Sequence, residues 1–405
     1  MSSEHAKTKT KPKTVKCSFC EKEVDEQQAI YGKTPKLVIC EDCLEICNSI
    51  KRDRAPAKAQ AKPKKIPNPK EIKALLDEHV VDQEMAKKVV AVAVYNHYKR
   101  VFMANPDGVR IDKANVMLLG PTGCGKTLIA RTVAEMLHVP LVVADATSLT
   151  QAGYVGRSVE DVLRQLVDEA DGDVELAQRG VVFIDEIDKI AGHGDLGGLD
   201  VAGEAVQQSL LKMVEGAVID LGESVHSAFD MPEQMFIDTS NILFLFGGAF
   251  AGLEDIVAKR LNKGVMGFGS DTRTKVKADG QLLRLATHDD LVEFGMIPEF
   301  MGRVQIIVAL HALTEEALVR VLREPKNSLV KQYQTLLDLD GVKLDFDDDA
   351  LTKIAAMATK RKTGARGLRS IIEDTMLDVM YSVPSSRKKH VTVHADDIVD
   401  CYALS

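Results

Sequence analysis

The chain has no hydrophobic run long enough to cross a membrane. Its longest nearly apolar stretch, Ile242 to Leu253, is shorter than the roughly 20 residues that a transmembrane helix needs. Residues 1–16 are polar and rich in lysine, so they lack the apolar core of a secretory signal, and no arginine precedes Arg52, which argues against a mitochondrial presequence. We therefore expect a cytoplasmic protein without membrane contact.

An excess of basic charge and a disulfide framework are also missing. The net charge of −8 gives no overall attraction to nucleic acid or to anionic membranes. Seven cysteines, an odd number, in a chain without an export signal argue against structural disulfides. The 405 residues exceed what one compact core holds, so two or three domains are expected.

Four of the cysteines form two closely spaced pairs. Two residues separate Cys17 from Cys20, and two separate Cys40 from Cys43. Four thiolates at this spacing can surround one tetrahedral Zn²⁺, and a module this small needs the metal for much of its stability. The pattern predicts a zinc site, with unrelated buried cysteines or a redox-active pair as alternatives. Few lysines lie between the pairs, which favours dimerisation or adaptor docking over nucleic-acid binding.

Farther along, short apolar runs alternate with amphipathic segments. This pattern indicates a parallel sheet covered by helices on both faces. The predicted strands are Val116–Leu119, Leu141–Ala144, Val181–Ile184 and Ile242–Phe246. After about residue 312 the pattern becomes helical, with Thr314 as a predicted N-cap. The expected organisation is a disordered basic tail at 1–16, a zinc-binding domain at 17–50, a Lys-, Ala- and Pro-rich linker at 51–69, an α/β domain at 70–312 and a small helical domain at 313–405.

The first predicted strand runs directly into a P-loop. Its glycines let backbone N–H groups wrap the phosphates of ATP, the lysine reaches the β- and γ-phosphates, and the threonine hydroxyl ligates Mg²⁺. Cys124 occupies a variable loop position and needs no redox role. The predicted nucleotide-binding residues are Gly120, Pro121, Thr122, Gly123, Cys124, Gly125, Lys126 and Thr127.

The third predicted strand ends in two carboxylates, Asp185 and Glu186. We expect Asp185 to hold the Mg²⁺ shell and Glu186 to polarise the attacking water. Alone, this pair would fit a buried strand with a solvated acidic end. Because it follows a P-loop, and because Glu stands beside Asp, the pattern favours hydrolysis over a nucleotide switch.

Together with Gly153–Arg157, Ile297–Arg303 and Gly364–Arg369, these motifs resemble the ClpX family from about Cys17 to Pro384. The resemblance implies an AAA+ P-loop ATPase that forms a homohexameric ring and draws protein substrates through a central pore. It further implies delivery of those substrates to a ClpP-type peptidase.

The resemblance also assigns individual roles. Tyr154 and Val155 would grip the substrate in the pore, and Arg303 would be an arginine finger reaching a neighbouring subunit's nucleotide. Arg366 would be a sensor arginine from the same chain's helical domain. Each could instead be an ordinary structural residue.

Val80 and Val81 match residues that pack around adenine, and a plain core role for them is nearly as well supported. The peptidase-docking tripeptide would be Met266, Gly267 and Phe268, in which Met replaces the family's usual branched residue.

Several loops depart from the family pattern. Leu221–Asp230 lacks the family's Arg-Lys-His cluster, and Ala191–Asp200 is Gly-rich and acidic where the family is more basic. We therefore expect altered substrate choice. A polar sensor at the end of the fourth strand is missing, and only Asn241 or Thr239, at the strand's start, offers a candidate.

Two other functions stay open. A remodelling chaperone without a peptidase would fit the weak docking tripeptide. A nucleic-acid AAA+ ATPase would use the cysteine module and the basic tail, although the acidic body and the Gly-Tyr-Val-Gly motif argue against it.

Overall fold

A computed structural model describes residues 14–25, 29–31, 37–44, 46, 66–103, 109, 111–150, 157–192, 201–224, 233–263, 282–383 and 388–399. The chain divides into two compact units, Met1–Lys65 and Ile66–Ser405. Within the described ranges, no helix combines the length and the apolar character that a bilayer span requires.

The first unit contains two small antiparallel ladders. Strand β1 (Thr14–Lys16) pairs with β2 (Glu23–Asp25), and β3 (Ile30–Tyr31) pairs with β4 (Val38–Ile39). Its buried cluster consists of Cys17, Cys40 and Cys43, with Val24 and Ile39 packed against it. So small an apolar core stabilises a fold only with further support.

The second unit is built on a five-stranded parallel sheet with the order β11-β5-β10-β7-β6. Its strands are β5 (Val116–Leu119), β6 (Leu141–Asp145), β7 (Val181–Asp185), β10 (Leu243–Gly248) and β11 (Ile306–Ala309). Strands β8 (Val218–Ser224) and β9 (Glu233–Asp238) form a separate antiparallel hairpin. The predicted parallel α/β fold is confirmed, and the edge strand β11 is an addition that the sequence pattern did not show.

Helices cover this sheet on both faces and make up most of the described chain after it, as far as Ser382. Many begin at a side-chain cap: Asn68, Ser158, Thr287, Thr314 and Ser328 each accept a backbone N–H of the first turn. The helices are α1 (Pro69–Asp77), α2 (Glu84–Phe102), α3 (Lys126–Leu137), α4 (Val159–Asp168), α5 (Val174–Ala177), α6 (Val201–Glu215), α7 (Leu253–Lys263), α8 (His288–Phe294), α9 (Pro298–Met301), α10 (Glu315–Arg323), α11 (Leu329–Leu339), α12 (Asp348–Lys360) and α13 (Ala365–Ser382).

The sheet is buried on both faces because successive strand side chains point to opposite sides. Val116 and Leu118 of β5 join a core with helices α1, α2 and α3. Met117 and Leu119 of the same strand join the other core, with helices α4, α6 and α7. Covering both faces explains why each strand reads as a continuous apolar run.

The C-terminal helices have a core of their own. It draws its buried members from residues 318–398 and includes a two-stranded parallel sheet of β12 (Lys343–Phe346) and β13 (His390–Val393). Thr314 caps α10 as predicted, because its hydroxyl accepts the Ala317 N–H at 3.2 Å. The expected helical region is therefore present, with one strand pair added.

Truncating a buried side chain of a strand that helices cover on both faces should lower the stability of the protein. We expect Leu118→Ala to lower the free energy of unfolding by about 2–5 kcal/mol, because it opens a cavity beneath packed helices. Leu285→Ala, at a residue 48% exposed, should cost less than about 0.5 kcal/mol. Urea denaturation followed by circular dichroism measures both, and equal losses would contradict the two-faced burial of the sheet.

Candidate functional site

The P-loop adopts a backbone conformation that only glycine tolerates. Gly120, Gly123 and Gly125 have φ angles of 152°, 77° and 105°. A Cβ on Gly120 would lie 2.6 Å from the Leu310 carbonyl oxygen, and one on Gly123 would lie 2.6 Å from the Thr363 carbonyl oxygen. The loop between β5 and α3 is therefore packed against backbone on two sides, and its shape is fixed by those contacts.

Lys126 and Thr127 open helix α3 directly after this loop. The buried Lys126 ammonium donates to the Gly120 carbonyl at 2.5 Å and to the Pro121 carbonyl at 3.1 Å. The Thr127 hydroxyl donates to Asp185 Oδ2 at 3.1 Å. The cation, the hydroxyl and the carboxylate thus meet where the P-loop enters the helix, which is the donor set that fits a phosphate chain with Mg²⁺.

Cys124 is buried in the middle of the loop, and burial raises the pKa of its thiol. A thiol of this kind is a poor nucleophile and a poor metal ligand. The structure thus gives Cys124 a packing role in the loop.

Asp185 is the last residue of β7, and the chain turns sharply after it. Glu186 has a left-handed backbone with φ 56°, and its N–H donates to Asp185 Oδ1 at 3.0 Å. Non-glycine residues rarely adopt this conformation, and those that do concentrate at functional sites. The turn leaves the Glu186 side chain partly exposed.

The start of α13 closes the site from another part of the chain. The Ala365 N–H donates to the Gly123 carbonyl at 3.2 Å, and Arg366 Nη2 lies 3.8 Å from Asp185 Oδ2. Together these segments enclose a cavity of about 250 Å³, lined by Gly123, Gly125, Lys126, Thr127, Leu128, Asp185, Ala365 and Arg366. The cavity therefore brings together the P-loop, the strand-end carboxylate and an arginine from the C-terminal helices.

The segment between α1 and α2 packs against the P-loop. Val80 is buried, and its Cγ1 lies 3.9 Å from where a Cβ on Gly125 would be. The buried Lys87 ammonium donates to the Val80 carbonyl at 3.2 Å and pairs with Asp77 and Glu84. Val81 is also buried. Val80 therefore lies next to the P-loop and packs in the core beside it.

Arg303 lies at the edge of the sheet that is formed by the amino ends of the strands, whereas the P-loop follows the carboxyl end of β5. Arg303 precedes β11, and its carbonyl accepts the Asn115 amide at 2.7 Å at the beginning of β5. Its guanidinium pairs with Glu215 at 2.8 Å. Because the strands are parallel, the four residues of β5 separate this edge from the P-loop by roughly 13 Å. Arg303 is therefore far from the cavity of its own chain.

The two polar candidates for a sensor on β10 are also at this distant edge. Thr239 and Asn241 lie in the 3₁₀ turn before the strand. At the strand's other end a Cβ on Gly247 would meet Phe183 at 2.6 Å, and one on Gly248 would meet Phe250 at 2.4 Å. The structure thus places neither candidate at the cavity.

A buried carboxylate that the sequence analysis missed lies beyond Gly248. Asp188 accepts the N–H groups of Ala249 and Phe250 at 3.1 and 3.3 Å. It ties the turn after Glu186 to the end of β10. Its proximity to Asp185 in sequence was the available signal, but its backbone partners lie about 60 residues away.

The remaining expected site residues of the second unit are not described. Tyr154 and Val155 belong to residues 151–156, and Met266, Gly267 and Phe268 belong to residues 264–281; both segments lie outside the described residues. The ends of the first segment are joined by a bridge, in which the Thr150 N–H donates to the Arg157 carbonyl at 2.9 Å.

The four predicted cysteine ligands of the first unit come together. The sulfur atoms of Cys17, Cys20, Cys40 and Cys43 all lie within 4.8 Å of one another. Backbone N–H groups donate to the Cys17 sulfur, and the pKa of that thiol is lowered to about 6, chiefly by the Cys20 N–H. The pKa of the Cys43 thiol is raised by its hydrogen bond to Cys40. Four crowded sulfurs, one of them readily ionised, are a donor set that fits a tetrahedral metal ion.

Comparison with known proteins agrees with this geometry. Residues 111–307 match the family model for the AAA domain (Cdc48 subfamily), and residues 313–395 match that for the C-terminal D2-small domain of ClpB protein. The chain is also 47% identical over 378 residues to the ATP-dependent Clp protease ATP-binding subunit ClpX of Treponema denticola, a match that covers 91% of this chain and 90% of the relative. The P-loop, the Asp185–Glu186 turn and the C-terminal helices all lie within the matched regions, and the chain therefore belongs to the ClpX family of AAA+ ATPases.

Proposed function

We propose that this chain is an ATP-driven protein unfoldase that threads substrate proteins and delivers them to a ClpP-type peptidase. The observation that carries the proposal is the cavity in which Lys126, Thr127, Asp185 and Arg366 meet. Family membership supports the coupling of this site to unfolding, and the relative's name describes a subunit of the Clp protease.

The described side chains divide the chemical work among them. When Mg²⁺ is held by Thr127 and Asp185, it would supply positive charge that offsets the charge developing on the phosphates during hydrolysis. Lys126 would exchange its loop carbonyls for phosphate oxygens, while Thr127 and Asp185 would hold the metal's shell. The Glu186 carboxylate would accept the proton of the attacking water. Val80 and Val81 would pack against the adenine base of the nucleotide.

The two arginines act from different chains. Arg366 already lies beside Asp185 in its own cavity, so it would sense the nucleotide in cis. Arg303 lies at the far edge of the sheet, so it would complete the site of a neighbouring copy. This division supports a ring of identical subunits, which we take to be a homohexamer.

The substrate and peptidase contacts rest on the sequence. Tyr154 and Val155 would grip the substrate by side-chain bulk, and Met266, Gly267 and Phe268 would dock in an apolar pocket of the peptidase. The proposed domain boundaries lie near residues 16, 50, 69 and 312, with strand β1 (Thr14–Lys16) and the cap residue Asn68 extending the folded units by a few residues. A remodelling chaperone without a peptidase is the second candidate, because the tripeptide departs from the family form.

The cysteine cluster of the first unit would hold one Zn²⁺. Closing the four sulfurs around the ion would supply stability that its small buried core does not provide. We assign this module to dimerisation or adaptor docking and place the protein in the cytoplasm.

Glu186→Gln tests the proposed chemistry. Loss of the carboxylate should slow ATP hydrolysis by about 10²- to 10⁴-fold, because the amide does not accept the proton of water. Binding of a fluorescent ATP analogue should change little. The trapped protein, captured from cell extract with ATP, should retain a ring peptidase that Phe268→Ala releases. Recovery of substrate proteins without a peptidase would favour the remodelling chaperone.

Mixing two inactive variants tests the placement of Arg303. Lys126→Ala keeps the finger and Arg303→Ala keeps the P-loop, and each alone should lose at least about 10³-fold in hydrolysis. An equimolar mixture should recover activity, because about a quarter of the interfaces in a mixed ring join an intact loop to an intact finger. Glu215→Gln, which removes the exposed partner of Arg303, should stay active. A mixture as inactive as its components would contradict the action in trans.

Removing one sulfur tests the zinc site. Cys40→Ser should reduce bound zinc, measured by mass spectrometry, from about one ion per chain to almost none. Cys401→Ser is the matched control and should keep the metal. ATP binding by the second compact unit should survive in both variants. Zinc retained by Cys40→Ser would overturn the ligand assignment.

A further inference from the structure

The chain leaves the sheet and enters the C-terminal helices through a short connector, residues 310–313. The beginning of this connector is fixed to the P-loop. The Leu310 N–H donates to the Leu119 carbonyl at 2.7 Å, and the Leu310 carbonyl oxygen lies against Gly120. Any movement of the C-terminal helices must therefore begin at or after His311.

Gln83 holds the next residue of the connector. Its amide nitrogen donates to the His311 carbonyl at 2.8 Å, and its amide oxygen accepts the His311 N–H at 3.1 Å. The same nitrogen donates to the Cys124 carbonyl of the P-loop at 3.4 Å. Gln83 is only 2% exposed, so leaving these backbone groups unpaired would be costly. One side chain thus joins the P-loop to the connector.

The residues beside Gln83 reach the C-terminal helices. Asp82 pairs with Arg320 of α10 at 2.7 Å, and the Glu78 carbonyl accepts the Lys326 N–H at 2.9 Å. Asp82 and Gln83 have left-handed backbones, with φ angles of 56° and 60°. Two adjacent non-glycine residues in this conformation persist only where the surrounding contacts hold them.

Polar contacts set the orientation of these helices. Their hydrophobic core is separate from the two cores of the sheet. Besides the segment 78–83, the beginning of α13 and the two residues before it contact the P-loop side of the cavity, through the bond from Ala365 to the Gly123 carbonyl and the close approach of Thr363 and Gly364 to the loop. Arg366 follows Ala365 directly, so its distance from Asp185 depends on how the helices are held.

We propose that Gln83 is a positioning residue for ATP hydrolysis: it locks the connector to the P-loop and thereby holds Arg366 at the cavity, with the Asp82–Arg320 pair as its outer contact. This inference rests on the proposed role of Arg366. Gln83 reaches the P-loop through the 3.4 Å bond to the Cys124 carbonyl and the connector through two shorter bonds to His311. An effect through the loop itself would change the affinity for nucleotide, whereas an effect through the orientation of the helices would change hydrolysis alone.

Gln83→Met in the full-length chain removes the hydrogen bonds and keeps the length of the side chain. We expect hydrolysis to slow about 10-fold while the affinity for a fluorescent ADP analogue stays within about threefold. The double variant Gln83→Met with Arg366→Ala should be no slower than Arg366→Ala alone, because both changes remove the same contribution.

Gln207→Met is the matched control. Gln207 is fully buried and makes the same kind of bonds, donating to the Ile190 carbonyl at 2.8 Å and accepting the Ile297 N–H at 2.9 Å. These bonds lie within the sheet domain, so the variant should cost similar stability, and its effect on hydrolysis should add to that of Arg366→Ala. Additive effects for Gln83→Met, or unchanged hydrolysis, would overturn the inference.

A second measurement keeps this test separate from the proposed function. If Arg366→Ala leaves hydrolysis unchanged, the role of Arg366 is wrong, and hydrogen exchange of residues 310–323 decides the rest. Faster exchange there in Gln83→Met than in Gln207→Met would support the lock on the connector. Equal exchange in the two variants would refute it.

Discussion

The close approach of three backbone segments at the P-loop is the constraint on which this structure depends. Gly120 touches the chain as it leaves the sheet, and Gly123 touches the chain as it enters the last long helix. A side chain at either position would push those segments apart. The nucleotide cavity therefore exists only while the sheet, the connector and the C-terminal helices meet at one loop, and this explains how a phosphate-binding loop can report to a whole domain.

The contacts at this meeting point differ in burial, and therefore in how readily they break. Leu310 and Gln83 are buried, whereas the Arg366 side chain is 63% exposed and stands 3.8 Å from Asp185. An ion pair so exposed contributes little stability and is readily exchanged for another partner. The loop side of the cavity is thus firmly built, while its arginine side is free to take a phosphate in place of the carboxylate.

Much of this site could be predicted because its parts are local in sequence. A strand, a glycine-rich loop and a helix are adjacent, and Asp185 with Glu186 ends an obvious apolar run. The edge strand Ile306–Ala309 was missed because it is short and only half-buried. Gln83 and Asp188 were missed because their partners are backbone atoms at His311 and Ala249, far along the chain. Such contacts leave no periodicity, and only the folded chain brings them together.

The placement of Arg303 at the amino edge of a parallel sheet has a consequence for assembly. A surface that gives a finger and a different surface that receives one associate head to tail, and such an interface closes into a ring only if its rotation divides a full turn. With Arg303 in its proposed role, a solitary chain has no complete site. Activity per molecule should then rise with protein concentration and fall on dilution, because each complete site forms only at an interface between two copies.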